Sequence, residues 1–270
     1  MRRLSSSLRR EDKTVVLVPT MGYLHAGHSE LLRRGRALGD ALVLSLFVNP
    51  AQFGPSEDFS AYPRDLPRDL KVAEENGVDA VFTPRAQDIY PQGYGTYVTV
   101  EGLSEKLCGQ ARPGHFMGVA TVVLKLFNIV MPHKALFGRK DYQQLLVIKK
   151  MAGDLNLAIE IIGVDTVREA DGLPLSSRNS YLSPKERKAA SVIPLSLREA
   201  AEAFRGGLKD SRAIIDKVKK IIEKEPVCRV EYVKVTDPET LGDVESAVEG
   251  SLLSVAVRVG RARLIDNATL

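Results

Sequence analysis

His25 and His28 stand three residues apart in the stretch Pro19-Thr20-Met21-Gly22-Tyr23-Leu24-His25-Ala26-Gly27-His28-Ser29-Glu30. At the start of a helix that spacing puts both imidazoles on one face, where ring N–H groups can donate to an anion such as a phosphate. A merely polar turn is the alternative; only four histidines occur in the chain and two of them fall here, which shifts the balance towards chemistry, and distant parts of the chain decide between the two. Gly22 and Gly27 followed by His28-Ser29 come close to the P-loop pattern, but a histidine replaces the lysine with which a P-loop grips phosphates. The glycine fingerprint of dinucleotide-binding turns is absent.

Distant stretches carry further polar groups at glycine turns. Gly138-Arg139-Lys140-Asp141-Tyr142-Gln143-Gln144 follows a short apolar run, so it repeats the arrangement of strand, glycine and polar helix start. Lys140 and Gln144 are four apart and share a face, and Asp141 is placed as an N-cap. A lysine at a helix N-terminus opposes the helix dipole unless an anion sits there, so Lys140 reads as a phosphate ligand. Ser176-Ser177-Arg178 joins two hydroxyls to a guanidinium after the Gly172 turn, a group suited to a phosphate. Asn49 and Gln52 follow an apolar strand, where Gln52 has two fates: bonding a hydroxyl or carboxylate of a substrate, or loop solvation. Arg112 and His115 precede a long apolar helix and are open to two readings, anion contacts or a structured turn.

The elements that must position these groups are legible in outline. Thr14–Val18 and Ala41–Val48 read as buried parallel strands, the first leading through Pro19 into a helix carrying Leu31, Leu32 and Leu38. Pro19 stops the strand, and the two glycines let the backbone approach a ligand. Asp58–Arg68 reads as a proline-punctuated loop, long enough to be a flap, followed by a helix to Asn76-Gly77. Asp79–Thr83 is expected as a strand and Thr96–Val100 as a short one. Val119–Val130 is apolar nearly all round, hence a buried helix ended by Pro132. Short strands are expected at Ala135–Gly138 and Ile159–Val164. Beyond Asn179 the character changes to amphipathic helices over Lys185–Phe204 and Leu208–Glu223, then antiparallel strands over Arg229–Thr236, Ser251–Val259 and Ala262–Ile265. The fold class is α/β: a Rossmann-like parallel-sheet domain over 1–168, followed by a smaller α+β domain over 169–270. Ligands of such sheets bind at the C-terminal strand ends.

With 44% hydrophobic and 27% charged residues the chain has ample material for a core. Its net charge of +4 is too small to argue for nucleic acid and equally suits a polyanionic small molecule. Cys108 and Cys228 read as free thiols in a reducing compartment. No apolar run approaches the length of a membrane span. Met1–Arg10 is rich in Arg and Ser, like a transit peptide, but lacks the apolar core of a secretory signal. Leu4 and Leu8, four apart, favour a short first helix packed on the domain.

Taken in order, these motifs resemble those of the pantoate–β-alanine ligase (pantothenate synthetase) family of the nucleotidylyltransferase superfamily, whose signature is His-x-Gly-His. The resemblance spans nearly the whole chain. It rests on Pro19–Gly22 with His25–His28, Val48–Gly54, Tyr62-Pro63-Arg64, Arg112–Phe116 with Gly118–Val123, Phe137-Gly138 with Lys140–Gln144, Arg168–Leu173 and Ser176–Asn179. It implies a nucleotidylyltransferase domain, a small C-terminal lid domain, a cytoplasmic homodimer, and ATP with Mg²⁺. It also implies a two-step reaction through pantoyl adenylate. By the same matching, Met21, Gly22, Tyr23, Leu24, His25, Ala26, Gly27 and His28 are similar to ATP-binding positions. So are Gly138, Arg139, Lys140, Asp141, Val167, Leu175, Ser176, Ser177 and Arg178. Gln52 and Gln144 match pantoate contacts, Gln52 also the β-alanine site, and His28 the active-site histidine, with His25 and Lys140 beside it in the catalytic set. Arg139 departs from the acidic residue associated with many members, and the N-terminus looks slightly short. No residue stands out as a base for the β-alanine amine, and the metal ligands are not legible. Two other readings share these residues. One is a transferase moving AMP onto a phosphate-bearing cofactor precursor, which would not need the two glutamines. The other is a non-catalytic nucleotide sensor or synthetase remnant, which the modest charge speaks against.

Overall fold

The β-branched run after Thr14 forms a strand buried on both faces, and the rest of the first unit is laid on it. The computed structural model describes every residue except Ser56. Along the chain it contains α1 (Arg2–Arg10), β1 (Val15–Thr20), α2 (Ala26–Arg36), β2 (Ala41–Leu46), α3 (Leu66–Glu75), β3 (Ala80–Phe82), α4 (Ala86–Ile89), α5 (Cys108–Ala111) and α6 (His115–Val130). These are followed by β4 (Lys134–Gly138), α7 (Tyr142–Asp154), β5 (Glu160–Val164), α8 (Pro184–Ala190), α9 (Val192–Arg205), α10 (Ser211–Ile222), β6 (Cys228–Thr236), β7 (Leu252–Val259) and β8 (Ala262–Thr269). The chain forms two compact units. One comprises Met1–Glu105, Gly109–Arg139 and Gln144–Asp165; the other comprises Lys106–Cys108, Lys140–Gln143 and Thr166–Leu270.

In the first unit the sheet runs β3-β2-β1-β4-β5 with every pairing parallel. Val16, Val18, Leu42 and Leu44 bury one face together with Leu24, Leu31 and Leu32 at and beyond the start of α2. Val15, Leu17 and Val43 alternate with them and are equally buried. That is the pattern of a parallel sheet covered on both sides, with α6 and α1 also packed on β1. The order reverses between β1 and β4, so the crevice where such sheets bind ligands opens beside the C-terminal ends of these two strands. Both carry motifs singled out from the sequence: Met21–His28 after β1 and Gly138-Arg139 at the end of β4.

In the second unit β6, β7 and β8 form an antiparallel sheet. Its apolar face (Val233, Val235, Leu253, Val255, Val257, Leu264) is packed by Ile193, Leu197 and Phe204 of α9 and by Ile214, Val218 and Ile222 of α10.

Several expectations are corrected. Pro19 does not stop β1: the strand runs through it to Thr20, with Pro19 opposite Ser45, where β1 is paired with β2 but no longer with β4 and a proline is tolerated. Thr96–Val100 is not a strand. Its alternating residues meet no neighbouring strand among the described residues, and the Val98 N–H is taken by Thr121 Oγ1 of α6 at 2.9 Å. Strand propensity is realised only where a ladder exists. The expected loop through Arg68 ends earlier, because Asp65 caps Arg68 N and Pro67 sits in the first turn of α3. Proline there starts a helix instead of breaking one. Lys185–Phe204 is two helices, since Pro194 has no N–H to offer the carbonyl of Ala190. The first helix is present and packs on α6, with Arg2 Nε donating to Asn128 O at 3.4 Å.

Candidate active site

The turn after β1 is fixed by hydrogen bonds of its own and by others from β2 and α3. Gly22 and Tyr23 both take left-handed conformations, φ +81° and +51°. Thr20 Oγ1 donates to Ser45 O at 3.0 Å and accepts Gly22 N at 3.2 Å. His25 is the N-cap of α2: its Nδ1 accepts Gly27 N at 3.1 Å, and His28 Nδ1 accepts His25 N at 3.2 Å. Two imidazoles thus form a reciprocal capping box, a role normally filled by Ser/Thr and Glu/Gln. Their ring centroids are 4.0 Å apart. An Nδ1 that accepts a backbone N–H places the neutral ring's proton on Nε2. Each ring therefore turns an Nε2–H donor away from the cap. The backbone N–H groups of Gly22, Tyr23, Leu24, His25, Gly27, His28 and Ser29 all have partners within the protein. These backbone donors are therefore not the open cradle of a P-loop.

Gln52 is not solvated. It is 8% exposed and lies in a short 3₁₀ turn, Pro50–Gln52, capped by Asn49. Asn49 Nδ2 donates to Gln52 Oε1 at 3.1 Å and to Gly118 O at 3.0 Å, while Asn49 Oδ1 accepts from Ala51 N and from Tyr90 OH, the latter at 2.7 Å. Burial pushes the Tyr90 phenol pKa up, so it stays a donor. With Oε1 occupied, the Gln52 amide turns Nε2 toward Met21, 3.2 Å from its sulfur, so these two site residues touch. Arg112 and His115 form a structured turn that holds the Gln52 backbone. His115 Nδ1 donates to Gln52 O at 2.9 Å, and its Nε2 accepts from Arg112 at 3.0 Å. Arg112 grips Glu57 through two bonds of 2.7 and 2.6 Å. Burial alone would raise the Glu57 pKa, but the Arg112 bonds and charge outweigh it and hold the carboxyl below its ordinary value.

Gly138 ends β4 opposite Val164. Arg139 reaches Asp165, Nε to Oδ1 3.1 Å, and lies over Gly163 of β5. Arg139 therefore has a partner at the sheet edge. Gln144 lies half-buried in the first turn of α7.

In the second unit Lys140 and Asp141 occupy the 3₁₀ turn leading into α7, with Lys140 Nζ 3.7 Å from the Asp141 carboxylate. Val167 O accepts Leu175 N at 3.0 Å, closing a hairpin whose tip is Gly172 at φ +89°. Ser176 Oγ accepts Arg178 N at 3.3 Å and caps the turn Ser177–Tyr181. β8 ties these pieces together: Asn267 Nδ2 donates to Lys140 O, and Asp266 binds Arg168 through two bonds of 2.7 and 2.9 Å. Glu169 and Asp171 are clamped by Arg187. The charged side chains of the Arg168–Gly172 motif thus brace the hairpin that carries Val167 and Leu175–Arg178.

Sequence reading missed Asp69, Tyr90 and Glu57, which hold these residues from outside the motifs, and it gave Gly118, part of a motif, no structural role. Asp69 alone had a local signal, an acidic residue in the first turn of a proline-started helix.

A parallel sheet whose order reverses beside a histidine-capped turn defines a Rossmann-like α/β protein. The family model described as pantoate-beta-alanine ligase matches residues 1–269. The pantothenate synthetase of Geobacter sulfurreducens is 53% identical over 270 residues, all of this chain and 95% of that protein. The crystal structure of pantothenate synthetase from Thermus thermophilus superposes with a TM-score of 0.93 at 47% identity, covering 98% of this chain and 97% of that one. The pantoate-beta-alanine ligase of Francisella tularensis, complexed with beta-gamma ATP and β-alanine, gives a TM-score of 0.81 at 31% identity, over 99% and 95% of the two chains. The chain belongs to the pantoate–β-alanine ligase family and is an enzyme of that family. No helix among its described residues is long and apolar enough to cross a membrane.

Proposed function

We propose that the chain joins pantoate to β-alanine using ATP, through a pantoyl-adenylate intermediate. A pantoate carboxylate oxygen attacks the α-phosphorus, the bond from that phosphorus to the bridging oxygen breaks, and pyrophosphate leaves. The amine of β-alanine then attacks the acyl carbon, the bond to AMP breaks, and the amine proton passes to solvent. The observation that carries this reading is the histidine capping box, which presents two Nε2–H donors at the switch point of the sheet. A carboxylate approaching a triphosphate meets like charge, so donors fixed where charge builds are the main requirement. His28 and His25 fill that role. Lys140 and the Ser176, Ser177 and Arg178 group are assigned to phosphates on their chemistry and on family resemblance, as are Met21–Leu24, Ala26, Gly27, Gly138, Arg139, Asp141, Val167 and Leu175 to ATP. Gln52, with Nε2 as its outward donor, and Gln144 are assigned to pantoate, Gln52 also to β-alanine. The Francisella tularensis complex supports ATP and β-alanine as ligands.

Mg²⁺ is proposed as the counter-ion that enters with ATP. Among the described residues no cluster of three or more His, Cys, Asp or Glu side chains is arranged to hold a metal. That fits an ion bound mainly by phosphate oxygens and water, and its charge would ease departure of pyrophosphate. A cytoplasmic homodimer, with no nucleic-acid or membrane partner, completes the reading. Labelled pyrophosphate exchange into ATP tests it. Exchange is expected with pantoate and Mg²⁺ in the absence of β-alanine. Exchange that requires β-alanine, or that runs without pantoate, overturns the free adenylate.

A further inference from the structure

Asp69 is a buried carboxylate, 3% exposed, in the first turn of α3. Its Oδ2 accepts Tyr23 N at 2.8 Å and its Oδ1 accepts Leu24 N at 2.7 Å. Both oxygens are thus committed to consecutive backbone donors 46 and 45 residues away. Those donors belong to the stretch in which Gly22 and Tyr23 are left-handed. Backbone N–H groups gathered by such conformations form an anion-binding concavity, and here the protein's own carboxylate fills it. The fit is close: a Cβ on Gly22 would lie 2.8 Å from Asp69 Oδ2. A left-handed conformation is also unfavourable for Tyr23, and two charge-assisted hydrogen bonds offset it. Arg68, beside Asp69, lies over the Tyr23 ring at 4.9 Å. The next residue after this clamped pair is His25, the N-cap.

We propose that Asp69 is a positioning residue for the reaction. It locks the Gly22–Leu24 turn, which sets the entry of the chain into α2 and so keeps the His25–His28 capping box formed, with both rings in the Nε2–H tautomer. A carboxylate near a triphosphate site is electrostatically adverse, and its retention is explained by this service to the backbone: with both oxygens bonded to N–H groups, its charge is spread onto the turn. The effect on turnover rests on the roles given above to His25 and His28; the effect on the rings does not.

Histidine NMR on the full chain reads the rings directly, because only four histidines are present. In the wild type, His25 and His28 are expected as Nε2–H tautomers. His115, which donates from Nδ1 to Gln52 O, is the opposite internal standard. Asp69→Asn keeps the size but puts an amide N–H₂ against a backbone N–H. It is expected to shift or broaden the His25 and His28 signals, to leave His115 and His133 in place, and to lower pyrophosphate exchange ~10–100-fold, the loss expected when a reacting group is misplaced by about an ångström. Asp69→Glu, which keeps two acceptor oxygens, should recover part of the loss. In a His28→Ala background, Asp69→Asn should add little further loss. Unchanged His25 and His28 signals in folded Asp69→Asn overturn the proposal, as does an equal loss of rate in both backgrounds. Should Asp69→Asn not fold, Gly22→Ala, which drives a Cβ onto Oδ2, gives the same readout. Altered rings with wild-type exchange would instead overturn the histidine roles and leave the positioning by Asp69 standing.

Discussion

Replacing Gly118 with alanine tests how Gln52 is held. Gly118 lies in the second turn of α6 and faces the 3₁₀ turn that carries Gln52. A Cβ there would stand 2.1 Å from Ala51 O, 2.4 Å from Ala51 C and 2.7 Å from Gln52 N. All three are backbone atoms, so no side chain can rotate out of the way. Ordinary heavy-atom contacts begin near ~3.5 Å, so the turn must retreat by roughly an ångström. The retreat stretches the bond from Asn49 Nδ2 to Gly118 O and shifts the Gln52 amide that Asn49 orients. Two opposing terms set the stability: alanine is a better helix former than glycine by ~1 kcal/mol, while overpacking costs ~1–3 kcal/mol. The close approach is to main chain, so overpacking wins and the melting temperature should fall by several degrees. Kinetically, a displacement of that size is worth ~10²-fold, and it should appear in kcat/KM for pantoate with the Michaelis constant for ATP changed much less. Thermal melting by circular dichroism and steady-state kinetics with each substrate varied in turn decide the matter. A Gly118→Ala protein as stable as the wild type, or more so, with an unchanged pantoate constant would show that the contact between α6 and the turn does not position Gln52.

Other expectations follow from the same structure. His28→Ala removes one half of the capping box and one Nε2–H donor; turnover should fall ~10²–10³-fold, the usual loss for one oriented donor, with ATP affinity changed much less, and wild-type turnover in the folded variant would refute the role. Gln144→Ala should raise the pantoate Michaelis constant before that of ATP, since a hydrogen bond to a charged group is worth ~1.5–3 kcal/mol; a change confined to the ATP constant would reverse the assignment. His133 Nδ1 accepts Val15 N at the start of β1, 2.9 Å, and burial, then the charge of Arg9, lowers its pKa from the ordinary 6.5. The unfolded chain then binds the proton more readily, so this contribution is complete above pH ~6.5 and is lost as pH falls through the lowered folded-state value. His133→Asn, which keeps an acceptor and cannot titrate, should flatten the acid limb of unfolding free energy against pH; an identical limb in both proteins would exclude His133 as its source.

Much of the site is legible because its chemistry is written locally. A β-branched run, two glycines and two histidines at helix-start spacing specify strand, turn and helix within a dozen residues, since each signal acts through the backbone of its near neighbours, whereas Pro19, which reads as a stop, lies inside β1. The same holds for Gly138 followed by Lys140 and Gln144, and for Ser176–Arg178 after the Gly172 turn. Local reading fails where one residue type carries opposite signals. Pro67 starts a helix where proline punctuation suggests a loop, and Thr96–Val100 has strand propensity with no ladder to join. The relation of the two histidines to each other is also beyond it: helical spacing puts them on one face, but only the structure shows each Nδ1 bonded to the cap, and hence which ring nitrogen carries the proton. What tertiary structure alone decided is the support of the site. Asp69 closes on Tyr23 and Leu24 from another helix, Gly118 and Tyr90 meet Asn49 across 69 and 41 residues, and Asp266 pins Arg168 across 98. Such contacts depend on which elements the parallel sheet and the antiparallel sheet bring side by side, and no periodicity or spacing along the chain records that choice.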